Sequence, residues 1–96
     1  MGIDEILRSK RREVLDLAAA HGATRIRVFG SVARGDAGPD SDVDLLVAMD
    51  NDRSLLDLIG LGQDLQELLG RRVDVVSERG LSAHVRNRVL AEAIAL

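Results

Sequence analysis

Apolar positions along the chain change period several times, and each change marks an element. Over residues 3–21, Ile3, Leu7, Val14 and Ala18 recur near one helical face, with Lys10 and Arg11 interrupting it. Gly22 follows, a residue suited to the left-handed position past a helix end. Residues 25–29, Arg-Ile-Arg-Val-Phe, alternate polar and apolar and predict a strand ending at Gly30. Gly38, Pro39 and Asp40 predict a turn within 36–41. A second strand is expected over 43–48. Asn51, Asp52 and Ser54 offer helix caps, and a helix then runs to Leu69 and stops at Gly70. Residues 72–76 predict a third strand, and 82–94 a last helix.

The second strand, its helix and the third strand form a crossover unit, which favours a parallel pair with right-handed connection. The first two strands are joined by a short turn-rich segment and are expected to run antiparallel. The fold class is therefore α/β (α+β): a small mixed three-stranded sheet covered by helices, one domain over 1–96.

Within the helix that follows Ser54, Leu55, Leu58, Ile59, Gly62, Leu65 and Leu69 predict the core face, and Leu56, Leu61 and Leu68 fall outside it. Leu90 and Ile94 widen the apolar face of the last helix in the same way. Such surplus apolar surface is either buried on two sides of the fold or offered to another chain, a second copy or a different protein.

Composition narrows the chemistry. Hydrophobic residues make up 46% and charged residues 30%, with Phe29 the one aromatic, so the core is aliphatic. There is no cysteine, which excludes disulfides and thiolate metal sites. The N-terminus lacks the apolar stretch of a signal peptide and no run reaches membrane-span length, so a cytoplasmic protein is expected. A net charge of −3 argues against direct nucleic-acid binding. The cluster Arg8, Lys10, Arg11, Arg12 reads as a solvated helix face. His21 and His84 stand alone and read as surface or capping residues.

Acidic residues are dense around the second strand. Side chains alternate across a strand, so Asp42 and Asp44 share one face while Val43, Leu45 and Val47 share the other. If Val73 and Val75 pack with those apolar residues, Asp74 joins the aspartates. Three such carboxylates repel one another unless a cation neutralises them, and hard oxygen donors suit Mg²⁺ or Mn²⁺. Two Mg²⁺ ions bridged by carboxylates are a device for phosphoryl transfer. Gly30 lets backbone approach a ligand, Ser31 starts a helical turn whose N–H groups and hydroxyl suit phosphate, and Arg34 stands one turn on. The plain alternative is a polar turn leading into a strand. Calcium-loop and Walker-type phosphate-loop patterns fail here: the first would need Gly at Leu45, the second a Gly-Lys-Ser/Thr run that is absent.

Gly30-Ser31, ten intervening residues and Asp42-Val43-Asp44 resemble the signature of the nucleotidyltransferase superfamily related to DNA polymerase β. The fuller pattern, Gly-Ser-x-Ala-Arg-Gly and then Ser-Asp-x-Asp-Leu, is most similar to its minimal nucleotidyltransferase (MNT) subgroup. Val73-Asp74-Val75 resembles the third acidic strand. The resemblance implies a Mg²⁺-dependent enzyme of the nucleotidyltransferase fold, with ATP as substrate. It implies an antitoxin that transfers AMP to a tyrosine of a HEPN-family toxin. Asp42 and Asp44 would bind both Mg²⁺ ions. Asp74 would complete one metal site and help deprotonate the acceptor. Gly30 and Ser31 would hold the triphosphate, assisted by Arg34. Larger relatives carry a second domain that positions the acceptor; here another protein chain must do so. Two alternatives stand beside this: an antitoxin that occludes its toxin without catalysis, and a nucleotidyltransferase acting on a small molecule or RNA end.

Overall fold

The computed structural model describes residues 3–38 and 40–96; Pro39 of the expected turn and the side chain of Ile3 lie outside the described part. The elements follow the expected order, with additions at both ends. Helix α1 (Ile3–Ser9) and α2 (Arg11–Ala20) replace the single expected helix. The break falls at Lys10, whose Nζ donates to Leu68 O at 3.1 Å. A cation is thereby placed on the carbonyls of another helix's last turn, where the dipole favours it. Lys10 is thus taken out of the solvated basic face, while Arg8, Arg11 and Arg12 remain exposed.

Strand β1 (Ala23–Phe29) leads directly into the short helix α3 (Gly30–Arg34). After the turn, closed by Gly38 N donating to Ser41 Oγ at 2.8 Å, comes β2 (Val43–Met49). Helix α4 (Leu55–Leu69) starts with Ser54 N donating to Asp57 Oδ2 at 3.1 Å and ends at Gly70, φ 67°. Strand β3 (Val73–Ser77) leads into a 3₁₀ turn (Glu78–Gly80) and α5 (Ala83–Glu92). Strand β2 pairs antiparallel with β1 and parallel with β3, as expected.

The sheet has four strands rather than three, in the order β3-β2-β1-β4. The fourth, β4 (Ile94–Ala95), begins at Ile94, the residue at which the sequence placed the end of the last helix. Ala93 turns extended and ends α5, and Ile94 and Ala95 then pair with Val28 and Arg27. The outer edge of β1 would otherwise present unpaired backbone groups. Two residues carry no readable period, so this strand is invisible to sequence pattern.

One sheet face carries Ile26, Val28, Val43, Leu45, Val47 and Val73, packed with α2 and α4 into the aliphatic core around Val14, Leu61 and Leu65. Helix α4 is turned from its expected phase. Leu61 is fully buried, whereas Leu55 and Ile59 are 69% and 48% exposed and Leu56 is 77% exposed. Asp57, Gln63, Asp64 and Glu67 mark one polar side, away from Leu65 and Leu69, but the exposed apolar residues of the first turns, Leu55, Leu56 and Ile59, widen the apolar arc and draw the expected phase toward them. No helix among the described residues is long and apolar enough to cross a membrane.

Candidate active site

The opposite sheet face begins with the pairing of Phe29 to Asp44 and of Asp44 to Asp74. Register partners share a face, so Phe29, Asp44 and Asp74 line one edge-to-edge row. Asp42 stands just before β2 and is half-buried. Asp44 and Asp74 therefore share the face that strand alternation predicts, while Asp42 precedes the paired register. Further along this face, Leu46 is buried between Arg27 and Val76, its register neighbours. Arg27 and Arg25 both reach Glu78, at 3.5 and 3.8 Å.

Gly30 closes the top of the row for two reasons. Its φ is 74°, a conformation costly for any residue with a Cβ. A Cβ there would also overlap Asp44 Oδ2. The chain can turn from β1 into α3 at this point, beside that carboxylate, because no side chain intervenes. Ser31 lies in the first turn of α3, and no side chain caps that helix. The first N–H groups of a helix have no intrahelical partner, and those of α3 begin directly after Gly30, which lies against Asp44.

Asp44 has its carboxyl pKa raised above the ordinary aspartate value. Burial is the main cause, followed by the charges of Asp74 and then Asp42; Arg34 opposes them, and Glu92 adds slightly. Desolvation and like charge both penalise the carboxylate. Among the described residues, no three acidic or imidazole side chains stand gathered at metal-ligating spacing. The donor set nevertheless fits a hard divalent cation: oxygen ligands alone, with a half-buried carboxylate at the centre whose repulsions a cation would relieve.

Arg34 is placed by residues that the sequence did not flag. Its Nη1 donates to Glu92 Oε1 at 2.5 Å and its Nε to Asp36 Oδ2 at 3.4 Å. Ion pairing with Glu92, then Asp36, raises the Arg34 pKa further. Glu92 lies far along the chain and carries no motif, so only the return of α5 beside α3 reveals it. Phe29, the one aromatic, was legible as a strand residue but not as a neighbour of Asp44. His21 sits at the end of α2 with its Nε2 2.7 Å from Asp64 Oδ2, a helix-to-helix tie consistent with a capping residue.

Residues 7–96 match the Nucleotidyltransferase domain family. A protein adenylyltransferase MntA of Thermococcus cleftensis is 41% identical over 96% of this chain and 90% of its own length. A solved structure provisionally described as a minimal nucleotidyltransferase superposes with a TM-score of 0.90 at 57% identity, covering 100% of this chain and 97% of that one. The MNT antitoxin complexed with tri-AMPylated HEPN toxin from Shewanella oneidensis gives a TM-score of 0.71 at 20% identity, covering 92% and 69%; at that identity the likeness is one of fold. The chain belongs to the nucleotidyltransferase family, in its minimal form, and is a nucleotidyltransferase.

Proposed function

We propose that this protein is a Mg²⁺-dependent protein adenylyltransferase, an antitoxin that moves AMP from ATP to a tyrosine of a HEPN-family toxin and so silences it. Residues 1–96 act as one minimal domain. The observation that carries the reading is the placing of Asp44 against the side-chain-free Gly30, in register with Asp74 and beside Asp42. A phosphate cradle and an acidic row meet there at a single point. The names borne by the relatives, adenylyltransferase and MNT antitoxin, favour ATP as donor and a protein as acceptor.

Gly30 and the open N–H groups of α3 hold the triphosphate, with Ser31 and Arg34 adding a hydroxyl and a cation. Asp42 and Asp44 would hold the metal ions, with Asp74 joining one of them. When bound, Mg²⁺ supplies charge neutralisation on the phosphates and acidifies the acceptor hydroxyl. Asp74, the exposed member of the row, faces the side from which an acceptor arrives and takes its proton. The tyrosine oxygen bonds to the α-phosphorus as the bond to pyrophosphate breaks.

The chain has no tyrosine, so the acceptor tyrosine must belong to another protein. The test incubates the protein with MgATP and its HEPN partner, followed by intact-mass spectrometry of the partner and an activity assay after separation. The expected result is a partner carrying AMP that stays inactive once isolated. An unmodified partner that recovers activity on separation would instead establish neutralisation by occlusion.

A further inference from the structure

We propose that Glu92, at the end of α5, is a positioning residue that sets the Arg34 guanidinium toward the phosphates of the bound nucleotide. The inference rests on the nucleotidyl-transfer reading above. Arginine presents five N–H donors in a rigid planar fork. Glu92 accepts from Nη1 and Asp36 from Nε. The group is thus pinned by two carboxylates from different parts of the chain, and its remaining donors stay available to an anion.

The placing of Glu92 is hard to explain otherwise. It ends a helix, where the dipole disfavours an acid, and exposed ion pairs add little to stability. It also brings a further negative charge toward Asp44, which already bears the repulsion of Asp42 and Asp74. The gain lies in Arg34. That residue closes the five-residue helix opened by Gly30 and Ser31, so a guanidinium fixed there bears on whatever those residues hold. The 58-residue separation in sequence makes the contact a product of the fold. The last helix thereby becomes part of the nucleotide site.

The experiment is calorimetric titration of MgATP, without acceptor, into wild-type protein, Glu92→Ala, Glu92→Gln, Arg34→Ala and the Arg34→Ala/Glu92→Ala double variant. Melting curves establish that each is folded. Arg34→Ala is expected to weaken binding about tenfold, the loss of one charged hydrogen bond. Glu92→Ala should weaken it about threefold or more, and the double variant should bind no worse than Arg34→Ala. Glu92→Gln should bind close to wild type, because the amide oxygen accepts the same N–H. In transfer assays Glu92→Ala should raise KM for ATP while kcat stays within about twofold. Unchanged or tighter binding by Glu92→Ala, or additive losses in the double variant, overturns the proposal. If wild-type protein bound no MgATP, the nucleotide-transfer reading would fall and this inference with it. Wild-type binding alongside an unaffected Glu92→Ala removes this inference alone.

Discussion

Asp44 is the residue on which the site turns, and its titration has a direction that can be tested. Because its folded pKa is raised, the folded chain holds a proton that the unfolded chain releases near pH 4. Between that point and the raised value the folded state binds more protons. The contribution of Asp44 to the stability of the metal-free protein therefore falls as pH rises through this interval and levels off above it. Asp44→Asn removes the ionisation. It should melt higher than wild type above the interval, with the gap vanishing toward acid pH, while nucleotide transfer is lost. Thermal melts with chelator across the pH range check this, and a variant that melts lower than wild type at neutral pH would contradict it. Gly30 gives a companion test at the same scale. Gly35 also has positive φ, 80°, but open space around its Cβ position. Gly35→Ala should lose only the backbone cost, about 1–2 kcal/mol. Gly30→Ala should lose more in urea denaturation, because its Cβ also displaces Asp44. That surplus should shrink when Asp44 is itself Ala.

At the scale of elements, what the sequence revealed depended on contrast between neighbouring residues. Val43-Asp44-Leu45 and Val73-Asp74-Val75 set charge against β-branched or aliphatic neighbours, so alternation alone assigned Asp44 and Asp74 to one face. Gly30 was legible as a glycine at a strand end, though its need to clear Asp44 was not. In helix α4 the contrast was blurred by surplus apolar residues, although Asp57, Gln63, Asp64 and Glu67 share one side. Leu55, Leu56, Leu58, Ile59 and Leu61 spread around the helix, and packing against β3 and α2 chose Leu61, Leu65 and Leu69. Strand β4 was hidden because two residues have no period, and Glu92 because its partner is distant in sequence. The phase of α4 can be checked directly. Leu61→Ala should cost about 2–5 kcal/mol as a fully buried leucine. Leu55→Ala should stay within about 0.5 kcal/mol. Reversed magnitudes in denaturant titrations would restore the rotation expected from periodicity.

For the whole molecule, the decisive quantity is how ligand and fold support each other. The aspartates and the proposed phosphate-holding turn at Gly30 and Ser31 are separate stretches of chain, joined by the β1–β2 pairing and the β2–β3 register. On the proposed reading the carboxylate charges oppose folding when no cation is bound, and a cation with a polyphosphate would neutralise them. Anything that binds the folded chain and not the unfolded one stabilises it by mass action, about 2.7 kcal/mol at a hundredfold excess over Kd. In a domain of this size each kcal/mol moves Tm by about 4–8 °C. MgATP at saturating concentration should therefore raise Tm by about 10 °C or more. ATP with chelator should give a much smaller rise, because the nucleotide's negative charge then meets Asp42, Asp44 and Asp74 directly. In Asp44→Asn the MgATP shift should largely disappear although the metal-free melt is higher. The two effects have opposite sign and the same origin, so one set of melts tests both. Equal shifts from ATP with and without Mg²⁺ would mean that the three aspartates do not meet the nucleotide through a cation.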